Sequence, residues 1–163
     1  MNLKPTLRYN RLSDIPLDEL KNLKISLVFL DMDNTLAPWH SDCVPKEFYS
    51  WIEEAKATGI TVALLTNSKG SNADSIGKKL NIDVYKNAKK PFKRPTLNLL
   101  KELGVAPENV LFVGDQLFTD VQLANSIKAK CVLTAPLEDR EWWCTKVFNR
   151  SREKLVWRFL FKN

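Results

Sequence analysis

The stretch Leu27–Leu36, LVFLDMDNTL, decides the fold. Four apolar residues, Leu27 to Leu30, run directly into an acidic pair, Asp31 and Asp33, with Thr35 just beyond. A short apolar run bounded by polar residues is the pattern of a strand buried in a parallel sheet. Open α/β sheets bind ligands outside the carboxyl ends of their strands, so two carboxylates there stand at a binding edge. Spaced one residue apart where strand gives way to loop, they can converge on one cation or divide two chemical tasks. The competing reading is an ordinary polar turn, with Asp33-Asn34 as turn residues. Three later stretches weigh against it.

The flanking chain alternates in kind. Met1–Asn22 is polar with scattered leucines, and Ser13-Asp14 is placed to cap a short helix from near Pro16. Lys24–Leu30 is the first predicted strand. The loop APWHSDCVP that follows carries His40, read as a solvated loop residue. Pro45 opens a helix to about Thr58, with Phe48, Trp51, Ile52 and Ala55 on one face and Gly59 as its stop. Ile60–Leu65 is a second strand ending in Thr66-Asn67-Ser68, and a second helix runs from Gly70-Ser71-Asn72 to Leu80. Asp83–Tyr85 is a brief third strand, and the basic stretch Lys86–Arg94, KNAKKPFKR, is a loop. Pro95–Leu103 is a helix stopped by Gly104. Val110–Val113 is a fourth strand running into Gly114-Asp115, Thr119–Ile127 a helix and Lys130–Leu133 a fifth strand.

Strands alternating with helices imply a parallel sheet with right-handed crossovers. All strand carboxyl ends then share one edge, which collects Asp31, Asp33, Thr66, the basic loop and Asp115. The 163 residues suit one domain, with hydrophobic content of 44% and charged content of 27%. The net charge of +6 makes an anionic substrate or partner plausible. Cys43, Cys131 and Cys144 are scattered and have no zinc-site spacing, as expected of reduced thiols in a cytosolic protein. The opening MNLKPTLRYNR has no apolar signal core, and no segment approaches a membrane span. A cytoplasmic location follows as an expectation, with peripheral attachment at the inner face of the membrane left open.

Three carboxylates, Asp31, Asp33 and Asp115, would repel one another unless a cation sat among them. Oxygen donors with few imidazoles or thiols favour Mg²⁺, bound through one or two carboxylates and substrate phosphate. Asp120 could be a further ligand or could orient one; its alternative, like that of Asp115, is a helix-terminal acid. The Thr66 hydroxyl and the N–H groups after it, with Asn67 next in line, can face a phosphate, and Lys90 is the candidate fixed charge on it.

LVFLDMDNTL, VALLTNS, NAKKP and VLFVGDQLFTD together resemble the four motifs of the haloacid dehalogenase (HAD) phosphohydrolase superfamily, in their usual order. The likeness extends to the subfamily IIIA phosphatases of the YqeG type, which include phosphatidylglycerophosphate phosphatases. It rests on Asp31–Leu36, Lys90-Pro91, Gly114–Asn125 and Phe148-Asn149-Arg150. The resemblance implies a Rossmann-like three-layer sandwich around a mostly parallel five-stranded sheet. It implies Asp31 as nucleophile, forming an aspartyl-phosphate, and Asp33 as acid and base with its carbonyl on the metal. Thr66 and Lys90 would hold the phosphoryl oxygens, and Asp31 and Asp115 would bind Mg²⁺. The spacings from Leu36 to Pro45 and from Gly77 to Lys90 leave no room for a cap domain. An open site suits a membrane-bound or macromolecular phosphate, or a small substrate closed off by a neighbouring subunit.

Arg140–Asn163 holds seven basic residues against Glu141 and Glu153, interleaved with Trp142, Trp143, Phe148, Trp157, Phe159 and Phe161. Read as a helix, Arg150, Lys154, Arg158 and Lys162 form a stripe opposite Leu155, Val156, Phe159 and Leu160. That composition fits either a helix in an anionic membrane interface or a terminal helix packed on the sheet. The expectation is therefore one phosphatase domain over residues 1–163 with a basic amphipathic segment from about 140. The expected substrate is a phosphate monoester, most specifically the phospholipid phosphatidylglycerophosphate. Another small or macromolecular phosphate is the enzymatic alternative. A non-catalytic RNA- or protein-binding module is the other, although no nucleic-acid motif supports it and pure binding has no need of Asp31 and Asp33.

Overall fold

The structure, a computed structural model, describes residues 2–138. The basic segment 140–163, with Cys144 and Phe148-Asn149-Arg150, lies outside the described residues. The strands are β1 (Leu7–Tyr9), β2 (Leu27–Leu30), β3 (Thr61–Leu65), β4 (Asp83–Tyr85), β5 (Val110–Gly114) and β6 (Lys130–Thr134). The helices are α1 (Leu17–Asn22), α2 (Lys46–Ala57), α3 (Asn72–Leu80), α4 (Lys93–Leu103) and α5 (Gln122–Ser126). The strands form one sheet in the order β1-β6-β5-β2-β3-β4, and every adjacent pair is parallel.

The central strands alternate between two core layers. Val28, Leu30, Val62, Leu64, Leu111 and Val113 face α2 and α3, where Phe48, Trp51, Ile52 and Ile76 are buried. Leu27, Phe29, Ala63, Leu65, Val110 and Phe112 face the other way, onto Leu100 of α4 and Leu123 and Ala124 of α5. Both faces of β2 are therefore covered, which is why its sequence is an unbroken apolar run. The helices stop where expected: Gly104 ends α4 at φ +67°, and Gly59 follows α2 at φ +88°, a backbone region that glycine enters without steric cost.

The sheet has six strands rather than the expected five. The extra one, β1, is a three-residue edge strand paired only with β6, through Leu7↔Val132, Arg8↔Leu133 and Tyr9↔Thr134. A short LRY stretch carries too little periodicity to mark a strand, and its pairing partner lies more than 120 residues away. Ser13-Asp14 also behaves differently from expectation. Asp14 closes a tight turn, Leu12–Asp14, by accepting from the Arg11 N–H at 3.0 Å, and Pro16 holds the N-terminal position of α1. Helix α4 starts at Lys93 rather than Pro95. Proline is tolerated there because the first-turn N–H groups have no partner within the helix.

Candidate active site

The carboxyl ends of β2, β3 and β5 lie side by side, since β2 pairs with both of the others. Asp31 follows β2 directly, and its N–H continues the ladder by donating to the Val113 carbonyl at 2.9 Å. The chain then winds tightly, with the N–H groups of Thr35, Leu36 and Ala37 all directed at the Met32 carbonyl. Burial of Met32, Leu36 and Ala37 holds this loop against the core, leaving Asp31 buried and Asp33 half-exposed at the rim. The Thr35 hydroxyl donates to Asp115 Oδ1 at 3.2 Å, tying the loop after β2 to the acid after β5.

Lys90 arrives from the loop after β4. Its ammonium is buried and sits between two carboxylates, 2.6 Å from Asp31 Oδ1 and 2.7 Å from Asp120 Oδ1. Asn67 sets its backbone: the Asn67 amide donates to the Lys90 carbonyl at 2.9 Å and accepts from the Lys90 N–H at 2.7 Å. The Asn67 side chain is thus committed to holding Lys90. Thr66 is fully buried; its hydroxyl accepts from the Ser68 N–H at 3.0 Å, which leaves the O–H proton to donate.

Asp120 is brought in by a wide π-type turn, Leu117–Val121, which takes the place of the first residues of the helix expected over Thr119–Ile127. Such turns often occur at functional sites because the extra residue re-aims the side chains. Gly114 makes the approach possible, since a Cβ there would overlap the Asp120 carboxylate. Carboxylate oxygens of Asp31, Asp115 and Asp120 all lie within 4.8 Å of one another.

The electrostatics follow from crowding. Burial pushes the Asp31 carboxyl up to about 7, against the pull of the Lys90 ammonium, with Asp120 and Asp33 pushing further up. Asp115 is raised well above the usual carboxylate range by burial and by Asp31 and Asp120. Burial also raises Asp33, opposed by the charges of His40 and Lys90. Burial alone would lower Lys90, but Asp120 and Asp31 outweigh it and hold it above the ordinary lysine range. With all groups ionised, three carboxylates and one ammonium leave two uncompensated negative charges. That deficit, and an all-oxygen donor set, fit a hard divalent cation.

The cluster thus unites Asp31, Asp115, Asp120 and Lys90, with Asp33 and Thr66 on adjoining strand ends. His40 stands exposed in the loop beyond Asp33. Sequence reasoning overlooked Asn34, Thr35 as a tether, and Gly114. Asn34 is buried in the left-handed region at φ +63°. Its amide donates to the Glu138 carbonyl at 3.1 Å and accepts from the Glu138 N–H at 2.9 Å, while its own carbonyl accepts from the Leu137 N–H at 2.9 Å. The one available signal was local: asparagine tolerates positive φ, as a tight turn after Asp33 requires.

A single parallel sheet with an acidic edge and a buried lysine is the layout of a HAD-superfamily phosphatase. The family model described as mitochondrial PGP phosphatase matches residues 1–137, and the chain belongs to that family. It is 27% identical over 139 residues to "Probable phosphatase YqeG" of Bacillus subtilis, covering 85% of this chain and 80% of that protein. The fold is shared with a hypothetical protein from Xanthomonas campestris, at TM-score 0.59 and 24% identity, over 85% of this chain and 78% of that one. It is shared too with 3-deoxy-D-manno-octulosonate 8-phosphate phosphatase from Moraxella catarrhalis, solved with magnesium and phosphate ions, at TM-score 0.54 and 16% identity, over 73% and 83% of the two chains.

Proposed function

We infer that this phosphatase hydrolyses phosphatidylglycerophosphate to phosphatidylglycerol and phosphate, in two transfers through an aspartyl-phosphate on Asp31. The observation that carries the reading is the buried Lys90 ammonium held at 2.6 Å from Asp31 Oδ1 on the acidic sheet edge. It fixes a positive charge where a phosphoryl group must approach a carboxylate, and so offsets the repulsion that makes a carboxylate a poor nucleophile toward a phosphate. The substrate class rests on the family match and on the motif likeness in the sequence.

In the first transfer an Asp31 oxygen bonds to phosphorus, and the bond from phosphorus to the ester oxygen breaks. Asp33, at the rim with its carboxyl raised by burial, gives its proton to the departing alkoxide. In the second transfer the Asp33 carboxylate takes a proton from water, the water oxygen bonds to phosphorus and the bond to Asp31 breaks. Thr66 donates its hydroxyl to a phosphoryl oxygen, and Lys90 steadies the charge throughout. Asp120 holds Lys90, and Thr35 holds Asp115. Mg²⁺, carried by Asp31 and Asp115 with the Asp33 carbonyl, would supply charge neutralisation for the phosphoryl oxygens. The basic segment from Arg140 adds attraction to an anionic membrane, where this substrate resides.

A panel of phosphate esters tests the reading. It would contain phosphatidylglycerophosphate in mixed micelles, sugar phosphates including 3-deoxy-D-manno-octulosonate 8-phosphate, and an aryl phosphate. Preference for the lipid ester of about 10²-fold in kcat/KM is expected, since discrimination is differential binding of the transition state. A sugar phosphate turned over faster than the lipid would reassign the substrate.

A further inference from the structure

Among the described residues two large apolar side chains stand in the open, Phe92 at 72% exposure and Leu103 at 40%. Leu103 ends α4, away from the acidic edge. Phe92 lies two residues beyond Lys90, on the loop that delivers the lysine to the cluster. Lys89, Lys93 and Arg94 surround it in sequence and are all exposed. Among the described residues none of these three cations pairs with a carboxylate, whereas Lys86 earlier in the same loop is held by Asp74 at 2.7 Å.

The loop is fixed from within. Asn67 grips the Lys90 backbone on both sides, and the Phe92 N–H donates to the Lys89 carbonyl at 2.9 Å. A ring presented to water on an anchored turn, among three unpaired cations, has the chemistry of a membrane interface. The ring enters the boundary of head groups and acyl chains, and the cations meet lipid phosphates. Asn34, beside the acidic edge, holds Leu137 and Glu138 by three hydrogen bonds.

The geometry points to a docking face for an anionic phospholipid surface, made by Lys89, Phe92, Lys93 and Arg94 on the rim of the active site. It rests on the reading that the substrate is a phospholipid monoester, and it adds which part of the folded domain meets the bilayer. Docked this way, the sheet edge that carries Asp31 and Lys90 lies at the head groups, so the ester reaches the nucleophile without leaving the membrane.

The test is co-sedimentation of the full chain with phosphatidylglycerol/phosphatidylcholine vesicles and with phosphatidylcholine alone, at low and high salt. Phe92→Ser should weaken binding to anionic vesicles about fivefold or more at both salt levels, because burial of a ring is not screened. Lys93→Glu with Arg94→Glu should remove about tenfold or more at low salt and little at high salt. Melting temperatures within about 3 °C of wild type would show that the variants are folded. Wild-type levels of binding by both variants, or no vesicle binding by the unaltered chain, would overturn the docking face. Hydrolysis of micellar phosphatidylglycerophosphate in that event leaves the substrate reading intact. Vesicle binding lost in the variants, with no lipid hydrolysis by the unaltered chain, supports the docking face and overturns the substrate reading. If charge reversal weakens RNA-oligonucleotide and vesicle binding equally while Phe92→Ser changes neither, the patch is a general polyanion site and the membrane assignment fails.

Discussion

Lys90 and Asn34 show how much a single side chain can organise. Lys90 is the shared ion-pair partner of Asp31 and Asp120, so Lys90→Ala would leave two buried carboxylates without their cation. Removing one partner of a buried ion pair costs about 3–5 kcal/mol, and the variant should lose that stability in urea denaturation along with nearly all turnover. Asp31→Asn keeps the shape of the site and removes the nucleophile. A fall of at least about 10³-fold in kcat on an aryl phosphate is expected, about 4 kcal/mol of barrier, with similar loss in EDTA. Full activity in either case would exclude the Asp31 mechanism. For Asn34 the two roles separate by substitution. Asn34→Gly loses the amide bonds to Glu138 but accepts φ +63°, whereas Asn34→Ala loses the bonds and is strained as well. Thermal unfolding should therefore place Ala below Gly by about 1 kcal/mol; the reverse order would mean that backbone conformation is not what the position selects.

The strands and turns place these side chains, and the turn after β5 brings Asp120 close over Gly114. Gly114 ends the strand, and Asp120 is folded back over it by the π-type turn Leu117–Val121. Gly114→Ala would drive a methyl group into the Asp120 carboxylate and displace it from Lys90. Overpacking a filled site costs about 1–3 kcal/mol, and here the displaced group is also charged. Loss of stability together with a drop in kcat is expected, whereas a well-folded, fully active Gly114→Ala would show that Asp120 has room to move. The edge strand β1 lies at the other extreme. It forms only where β6 offers a free edge, which is why nothing in Leu7–Tyr9 announces it.

The cluster couples stability to pH and to cation. In the folded protein Asp31 titrates near 7, while in the unfolded chain it titrates near 4. Between these values the folded state holds the extra proton, so stability falls as pH rises, and the contribution is gone above about 7. Asp115, raised in the same direction, adds to the trend. A divalent cation needs the deprotonated carboxylates, so its stabilisation should grow over the same window. The melting temperature in EDTA is expected to fall from about pH 5 to about pH 8, and Mg²⁺ to raise it more at the upper end. A cation effect independent of pH would place its site away from Asp31 and Asp115.

Local chemistry was enough for much of this. An apolar run buried on both faces marks β2 and β5 without knowledge of their neighbours, because burial of a central strand removes the need for polar alternation. Glycine stops and parallel crossovers then bring Asp31, Asp33, Thr66 and Asp115 to one edge by topology. The sequence alone determined the fold class, that edge and the acidic residues on it. Only the tertiary structure decided the sixth strand, the use of the Asn67 side chain, the seat of Lys90 between Asp31 and Asp120, and the hold of Asn34 on Glu138. These pairings join residues 23 to 125 positions apart, through an edge, an ion pair or a hydrogen bond. Their partners are chosen by which groups meet after burial, and a polar side chain read in sequence carries no mark of the group it will be left facing.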